Sequence, residues 1–476
     1  MDHAALPREL GDLIGREKVV TDPAILLDSS KDYIGFRQFE RGAGQYRVPR
    51  AACVVKPRST AEVSAVLAYL NAHGVDAVPR TGGSCVTLGV EPREGGVIID
   101  GSEMNGVVEF NETDMWVTAR CGTPLEYLEN YLNKRGWTTG HYPQSLPMAH
   151  VGGLLATRSI GQFSTLYGGI EDLVVGLEAV LADGEVVRIK NNPRRSVGPD
   201  LRHMFIGGEG AFGFITEATL KIFPYSPENR WMRAYGVKGM GHGLSAIREI
   251  MARGYKPAVV RLHCPVEAER DFGGIVPEGY AVLLLLADGP KAVTQAIGAG
   301  IEEIMRGYEI VDLGAKPVEH WLVHRNDVCG NMDNDFYYKL GLLADTCEIS
   351  APWSVIGDVY AAVLERVPRE APEIVSIGGH SSHSYMQGTN IYFTFGALLN
   401  DAERAREVYM RVISAIMEET LKRGGGIAHH HGSGKYRTQW MPREHGSSYI
   451  LMRRLKEALD PRGILNKGVL LTDEND

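Results

Sequence analysis

Three adjacent histidines, His429, His430 and His431, are the residues of this chain best suited to acid–base chemistry. An unperturbed imidazole titrates near pH ~6.5 and can therefore gain or lose a proton at neutral pH. On an extended segment His429 and His431 would share one face, and His430 would point away. Metal binding is not expected, because no carboxylate or cysteine cluster accompanies them. Proton transfer is the favoured role, and hydrogen-bonded histidines in a core are the structural alternative.

Tyr392 and Arg261 are polar side chains that predicted strands would present to a site. Ile391, Phe393 and Phe395 alternate along one strand, so they pack on one face while Tyr392 projects from the other. Tyr392 can be a packing residue or an acid–base group, and a nearby positive charge would lower its solution pKa of about 10. Arg261 needs an anionic or polar partner if it is buried, so it either orients a substrate or closes a structural ion pair.

Two glycine-dense turns form the two ends of residues 143–217, the stretch around which the chain is organised. One turn runs from Pro143 to Gly153 and the other from Gly207 to Glu217. Glycine permits positive φ and lets a backbone approach a bulky ligand closely. A third loop, Pro79 to Cys85, is rich in small residues whose N–H groups could hold a pyrophosphate, although an ordinary strand connection is the alternative. Together these loops predict a cofactor cradle.

Local patterns predict alternating strands and helices around these loops. Ser59 to Glu62 has capping-box spacing, ahead of one apolar helical face that ends at Gly74. Asp183 and Gly184 between two apolar runs predict a hairpin. Strands are predicted at 54–55, 75–78, 97–100, 174–181, 186–189 and 280–287, and further helices from Thr123 to Gly136, from Asp401 to Arg423 and from about Ser447 to Leu459.

Changes of pattern divide the 476 residues into four segments, and this length favours two or three domains. Residues 1–47 would form an N-terminal arm or lid, and residues 48–225 the first α+β domain. Residues 226–424 would form a second domain that caps the pocket on its substrate side. Residues 425–476 carry the histidines.

The composition argues against several functional classes. With a net charge of -9 and no basic run, the chain has no general electrostatic attraction for nucleic acid. The longest apolar run, Tyr280 to Ala287, is far shorter than the ~20 residues of a membrane span, and the N-terminus has no signal-peptide pattern. The 6 cysteines form no Cys-x-x-Cys pair. A cytoplasmic enzyme acting on a small molecule is expected, with a homodimer as a candidate assembly.

The longer motifs resemble those of FAD-dependent flavoproteins of the vanillyl-alcohol-oxidase type, and most closely the alkyldihydroxyacetonephosphate synthase-like group. The resemblance implies a split FAD-binding domain with an inserted α+β cap, the chain returning to the flavin at its C-terminus. It extends from about Val54 to the end and is carried by Thr139–His141, Pro143–Gly153, Tyr167–Val175, Ser196–Asp200, Gly208–Thr219, Glu348–Trp353, Ile391–Phe393 and the histidines with Gly432–Lys435.

The same resemblance implies roles for individual residues. Tyr392, His429, His430, His431 and Arg261 would form the catalytic group. FAD would be bound noncovalently, because the first loop lacks the histidine that commonly anchors covalent FAD in related enzymes. The implied cofactor-binding residues are Arg80, Thr81, Gly82, Gly83, Ser84, Cys85, Val86, Gln144, Ser145, His150, Thr157, Arg158, Ser159, Glu209, Gly210 and Ile215.

Three positions depart from the family pattern. Thr81 and Cys85 replace Gly and Ser in the first loop, and Cys85 is expected to be a small buried side chain rather than a redox group. Asn334 stands, by its spacing to Glu348, where the family commonly has an arginine that contacts an anionic substrate group. Loss of that charge-assisted contact predicts that neutral or weakly polar alcohols are better substrates than phosphorylated ketones.

Two reactions and one non-catalytic role compete for this site. In the favoured reaction, a hydride passes from a hydroxyl-bearing carbon of a small organic substrate to flavin N5, while His431 or Tyr392 takes the hydroxyl proton. In the second reaction, an ether-forming transferase traps its substrate as a flavin adduct without net oxidation. The third role is flavin binding without turnover, and the presence of Tyr392 and the histidines argues against it.

Overall fold

In the computed structural model, residues 5–46, 50–331, 333 and 336–472 are described. Helices alternate along this length with strands whose pairs are mostly antiparallel, which places the fold in the α+β class that the sequence predicts. The α-helices span Leu6–Ile14, Pro23–Ser29, Gly35–Gly42, Thr60–His73, Leu125–Asn133, Val151–Ala156, Ser164–Tyr167, Ile170–Leu173, Gly239–Ala252, Pro265–Phe272, Lys291–Met305, Lys316–His324, Asp327–Gly330, Phe336–Lys339, Ile356–Glu370, Ala405–Lys422, Met441–His445 and Tyr449–Leu459.

The strands are numbered here in chain order. They are β1 (Val19–Val20), β2 (Cys53–Val55), β3 (Ala77–Arg80), β4 (Val97–Asp100), β5 (Val107–Asn111), β6 (Trp116–Arg120), β7 (Trp137–Thr138), β8 (Val174–Val180), β9 (Val186–Ile189), β10 (Phe214–Lys221), β11 (Phe223–Pro224), β12 (Trp231–Val237), β13 (Val259–His263), β14 (Ala281–Ala287), β15 (Ile310–Gly314), β16 (Leu342–Pro352), β17 (Ile374–Ser381) and β18 (Gly388–Leu398).

These strands form four sheets. The first has the order β1-β2-β4-β3, and both β2 and β3 run parallel to β4. The pairs of the other sheets are antiparallel, in the orders β5-β6-β10-β8-β9, β11-β7 and β15-β12-β14-β13-β17-β18-β16. The first three sheets belong to the first half of the chain, and the seven-stranded sheet to the second half.

The first half follows its local signals closely. Ser59 caps the helix Thr60–His73 by accepting a hydrogen bond from the Glu62 N–H at 3.3 Å. The apolar face of that helix is fully buried, as its spacing predicts: Val63, Val66, Leu67 and Leu70 have no exposed surface. The hairpin predicted at Asp183-Gly184 is also confirmed, because β8 and β9 pair up to Val180 opposite Val186.

Two predicted helix starts were displaced. Asp401 caps a short 3-10 turn at Ala402–Arg404, and the α-helix itself begins at Ala405. The C-terminal helix begins at Tyr449 after another 3-10 turn, Gly446–Ser448. The cap signal of Asp401 was therefore read a few residues too early, because it marks the turn that precedes the helix.

The seven-stranded sheet positions the catalytic candidates. One of its faces packs on the helices Gly239–Ala252, Ile356–Glu370 and Ala405–Lys422, and buries Ile391 and Phe393 of β18. The other face contributes Val259 and Leu284 to a cluster with Phe163, which comes from the first half of the chain. Tyr392 and Arg261 therefore lie on strands whose open face meets the FAD-binding half.

The N-terminal residues connect the two halves. The Tyr33 N–H donates to the Cys85 carbonyl at 2.9 Å, and the Gly35 N–H donates to Asp345 Oδ2 at 2.7 Å. Residues 1–4 and 47 of the expected arm lie outside the described residues, and the four segment limits stay predictions. Among the described residues, no helix has the length and apolar character needed to cross a bilayer.

Candidate active site

The cofactor cradle consists of the loop Arg80–Val86, the helix Val151–Ala156 and the turn Gly207–Gly213. Its backbones approach so closely that a Cβ at Gly82 would lie 2.3 Å from the Met148 carbonyl oxygen. Gly210 has φ +77°, a conformation that L side chains rarely adopt. A cavity opens between these segments, lined by Arg80, Thr81, Gly152, Gly153, Gly210 and Ile215 among others.

Polar atoms of the cradle fit a bound, phosphate-bearing cofactor such as FAD. Arg80 Nε, Thr81 Oγ1 and His150 Nδ1 are buried and have no hydrogen-bond partner among the described residues. A buried polar atom without a partner costs about 1–3 kcal/mol, so a ligand that bonds to these atoms would recover that cost. Arg80 itself is held in place by an ion pair with Asp100 at 2.9 Å.

Other predicted cofactor residues use their side chains within the protein. Thr157 Oγ1 donates to the Gly153 carbonyl at 3.0 Å, and Ser159 Oγ contacts His141 Nε2 at 3.2 Å. Arg158 pairs with Glu171 at 3.1 Å and is largely exposed. Gln144 is exposed, while Ser145 is half-buried next to it. Contacts of these residues with a cofactor would therefore come mainly from their backbone.

Glu209 joins the cradle to the C-terminal segment. Its buried carboxylate accepts hydrogen bonds from the N–H groups of Ser433 at 2.7 Å and Gly434 at 2.9 Å. Burial raises the pKa of Glu209, and these N–H donors partly offset the rise. The loop that follows the histidines is thus fastened to the FAD-binding half.

Cys85 forms part of the loop that turns around the cradle. Its Sγ lies 3.4 Å from Thr87 Oγ1, and burial raises the pKa of the thiol. The thiol therefore stays protonated at neutral pH, as expected of a packing residue, although Cys85 is half-buried and not buried as the sequence predicts.

Tyr392 and His431 are in contact, as proton transfer requires. Tyr392 Oη lies 3.3 Å from His431 Nε2, and His431 Nδ1 lies 3.0 Å from Glu348 Oε2. The fully buried Arg437 donates to both oxygens of Glu348, at 2.6 and 3.1 Å. Burial alone would raise the pKa of Glu348, but Arg437 and His431 hold it well below its usual range. Glu348 is therefore an ionised carboxylate behind the imidazole.

The three histidines face the same space, so the prediction that His430 points away was wrong. Glu348 Oε1 accepts hydrogen bonds from the N–H groups of His429, His430 and His431, at 3.2, 3.2 and 2.8 Å. Three successive N–H groups that converge on one oxygen curl the backbone instead of extending it. The His430 ring consequently stacks on Tyr392, with 5.7 Å between the ring centroids.

Arg261 reaches the site through a neighbouring imidazole. It donates to His263 Nε2 at 2.9 Å and contacts His380 Nε2 at 3.0 Å, and both histidines contact Glu267 through Nδ1. The His380 ring stacks on Tyr392 at 4.8 Å. Arg261 acts to lower the pKa of Tyr392, the direction that the sequence suggested for a nearby positive charge, but burial is the larger effect and raises that pKa overall.

Sequence reasoning missed the roles of Glu348, Arg437, His380 and His383. Glu348 lies in a motif that carried the resemblance, but its pairing with Arg437 joins residues 89 apart in the chain. His383 Nδ1 contacts Ser164 Oγ at 2.9 Å, and its ring stacks on His429 at 5.0 Å. The sequence His380-Ser-Ser-His383 was the available signal. Asn334, used to predict substrate preference, lies outside the described residues.

Comparison with known proteins assigns the chain to a family. Residues 51–190 match the family model for an FAD binding domain, and residues 226–470 match that for FAD linked oxidases, C-terminal domain. The uncharacterized FAD-linked oxidoreductase YgcU of Escherichia coli (strain K12) is 44% identical, and the alignment covers 99% of both chains.

More distant relatives share the arrangement of the whole chain. Alkyldihydroxyacetonephosphate synthase of Caenorhabditis elegans is 28% identical over 89% of this chain and 77% of its own. Mitochondrial D-2-hydroxyglutarate dehydrogenase of Bos taurus is 26% identical over 94% of this chain and 80% of its own. A solved structure of alkyldihydroxyacetonephosphate synthase superimposes with a TM-score of 0.81 at 23% identity, covering 96% of this chain and 84% of that chain.

These matches confirm the predicted fold, in which an FAD-binding domain is combined with a second α+β region, and the resemblance on which that prediction depended. FAD is the cofactor that the family binds, and the unpartnered polar atoms of the cradle fit it. The chain belongs to the family of FAD-linked oxidoreductases.

Proposed function

We propose that this enzyme oxidises the hydroxyl-bearing carbon of a small anionic hydroxy compound, and that Tyr392 and His431 take the hydroxyl proton. The observation that carries the proposal is the continuous chain of contacts from Tyr392 through His431 and Glu348 to Arg437. Bound FAD would supply the acceptor for the two electrons that leave the carbon.

The contacts of His431 favour proton transfer from Tyr392 to His431. The Nδ1–H group of His431 donates to Glu348. Nε2 is therefore the nitrogen that accepts a hydrogen bond from the Tyr392 hydroxyl. Burial keeps Tyr392 protonated, so Tyr392 would donate its own proton to His431 Nε2 while its oxygen accepts the proton of the substrate hydroxyl. Glu348 would stabilise the imidazolium that forms, and Arg437 keeps that carboxylate ionised. General acid–base assistance of this kind contributes roughly 10²–10⁴-fold to a rate.

The surroundings of Arg325 favour a substrate that carries an anionic group. Its guanidinium lies 5.3 Å from the Tyr142 ring, 5.5 Å from Phe163 and 5.9 Å from Trp321. No carboxylate of the described residues forms an ion pair with it, and burial lowers the pKa of Arg325 to about 10. Arg261 lies 5.8 Å from the same Trp321 ring. Two guanidinium groups without a directly bonded carboxylate favour a carboxylate or phosphate ligand.

This substrate class differs from the neutral alcohols that Asn334 predicts. The arginines carry this choice, because Asn334 lies outside the described residues. A 2-hydroxy acid would satisfy both requirements, since it carries an oxidisable hydroxyl beside a carboxylate. One distant relative is named for such a compound, D-2-hydroxyglutarate.

An anaerobic screen tests both parts of the proposal. We expect 2-hydroxy acids, but not the corresponding neutral 1,2-diols, to remove the absorbance of the oxidised flavin. Arg325→Gln should raise the substrate concentration needed by roughly tenfold or more, because a charge-assisted hydrogen bond contributes about 1.5–3 kcal/mol. Arg230→Gln is the matched control: Arg230 also lies over Phe163, at 5.4 Å, but pairs with Asp288 at 3.2 Å.

The screen also separates oxidation from the alternative, an ether-forming transferase like the synthase relatives. A transferase would exchange an acyl-dihydroxyacetone phosphate with a fatty alcohol without any electron acceptor and would leave the flavin oxidised at the end. That result would overturn the oxidation proposal. Equal reduction by acids and diols in the wild type, or the same substrate requirement in Arg325→Gln and Arg230→Gln, would overturn only the choice of an anionic substrate.

Three further predictions accompany this function. The FAD should be noncovalent, and acid precipitation of the protein should leave a colourless pellet and release intact FAD. A flavin that stays with the pellet would contradict this, and His150 would then be the first residue to test. The cytoplasmic location and the homodimer stay predictions from the sequence.

A further inference from the structure

Three imidazoles from two distant segments meet beside Tyr392. His383 comes from the turn between β17 and β18, and His429 and His430 come from the C-terminal segment. One ligand nitrogen of each histidine lies within 4.8 Å of those of the other two. All three rings are buried or half-buried. We refer to His383, His429 and His430 as the three-histidine cluster.

Hydrogen bonds on the outside of the cluster orient two of its rings. His429 Nε2 contacts the Tyr385 hydroxyl at 2.8 Å, and His383 Nδ1 contacts Ser164 Oγ at 2.9 Å. Histidines that bind a metal almost always have such a partner on the nitrogen that does not face the ion. Inside the cluster, the Nδ1 atoms of His429 and His430 face each other at 2.9 Å.

A metal ion between the three rings would displace only one contact within the cluster. An ion would replace the single hydrogen bond between His429 and His430.

We propose that the three-histidine cluster is a binding site for one divalent transition-metal ion of the zinc type. Three neutral imidazoles form a common ligand set for zinc, and a fourth coordination position would remain for an oxygen ligand. The ring of Tyr392 is stacked on His430 at the edge of the cluster. The fourth position would thus border the space where a substrate hydroxyl meets Tyr392, although the proposed oxidation itself needs no metal.

The sequence argued against a metal because the adjacent histidines had no visible companion ligand. The third ligand, His383, is separated from His429 by 45 intervening residues in sequence order, and only the fold brings the two together. The Glu348 carboxylate also approaches the histidines, but it is already occupied by backbone N–H groups and Arg437.

A second group of potential ligands in the same domain provides an internal contrast. His263, Glu267 and His380 also come within ligand distance of one another. There, however, Arg261 donates to His263 Nε2 and contacts His380 Nε2, while Glu267 is bound by both Nδ1 atoms. The guanidinium already supplies the positive charge, so a second cation would meet no free lone pair.

Metal content tests the proposal without any substrate. Tag-free holoenzyme is treated with a chelator, dialysed against Zn²⁺ alone, and analysed by mass spectrometry for bound zinc. We expect one equivalent per chain, and roughly a 10–100-fold loss of affinity in His383→Gln, the range that loss of a metal-site contact produces. His263→Gln is the matched control and should keep the zinc.

The outcomes are distinguishable. Absence of saturable zinc binding, or equal binding by wild type and His383→Gln, would overturn the site. If His383→Gln does not retain FAD and fold, His429→Gln provides the same test from the other segment. Zinc binding is measured with oxidised enzyme and no hydroxy acid, so its failure leaves the proposed oxidation standing, and the reverse also holds.

Discussion

The cofactor cradle depends mainly on the shape of its backbone. The Tyr392 site depends instead on buried charges and aromatic rings. The cradle uses Gly82 and Gly210 where a side chain would clash or strain the chain, and it leaves polar atoms unpartnered. Around Tyr392, nearly every polar side chain already has a protein partner. The cradle therefore fits a large ligand, whereas the Tyr392 site has the contacts that the proposed proton transfer would need.

The largest effect that separates the two regions should come from Gly82→Ala. Its Cβ would lie 2.3 Å from the Met148 carbonyl oxygen and 3.0 Å from the His150 N–H nitrogen, so the loop must move. We expect a folded protein that contains little or no FAD and has no activity, measured by flavin absorbance and thermal unfolding. Gly357→Ala, where no atom of the described residues lies within 4 Å of the new Cβ, should keep full FAD content. Normal FAD in Gly82→Ala would contradict the cradle.

A loss of stability should follow from Glu348→Gln at the Tyr392 site. Removing this charge leaves the buried Arg437 unpaired, and breaking a buried ion pair from one side costs about 3–5 kcal/mol. Because the pKa of Glu348 is depressed, its stabilisation is present above the unfolded pKa and is lost as pH falls through the folded pKa. Denaturant unfolding at neutral pH tests this, with the exposed Glu457→Gln as the control. Equal stability of the two variants would refute a central role for the pair.

Asp32, a buried carboxyl group beside the cradle loop, should show the opposite pH dependence. It is fully buried near Cys85 and Glu91, no ion pair joins it to a cation of the described residues, and burial raises its pKa to about 7. A raised pKa contributes stability at low pH that is lost as pH rises from ~4 to ~7, at about 1.4 kcal/mol per pKa unit. Asp32→Asn should remove this decline in denaturant unfolding measured between pH 5 and 8. An unchanged pH profile would show that Asp32 is ionised throughout.

The same contrast explains which parts of the molecule the sequence revealed. Glycine turns and helix caps are local signals, so the cradle loops, the helix Thr60–His73 and the hairpin at Asp183-Gly184 could be predicted from short stretches. The residues alone indicated a bulky ligand, and the family resemblance identified it as FAD.

Most of the Tyr392 network could not be predicted in this way. Glu348 and Arg437, or His383 and His429, are brought together only by the pairing of distant strands with the C-terminal segment. The orientation of His430 was predicted wrongly because strand periodicity was applied to a backbone that curls around one carboxylate oxygen. The raised pKa of Tyr392 follows from its burial, which outweighs the nearby charge of Arg261 and could not be read from the sequence.

The most direct test of the account is the rate of anaerobic flavin reduction by a 2-hydroxy acid in wild type and Tyr392→Phe, at matched FAD content. Tyr360→Phe is the control, because Tyr360 stacks on Phe393 at 6.2 Å from the opposite, helix-covered face of the sheet. We expect Tyr392→Phe, and likewise His431→Ala, to reduce flavin roughly 10²–10⁴-fold more slowly, with Tyr360→Phe near the wild-type rate. Near-normal flavin reduction in both Tyr392→Phe and His431→Ala would contradict the claim that these residues take the substrate proton.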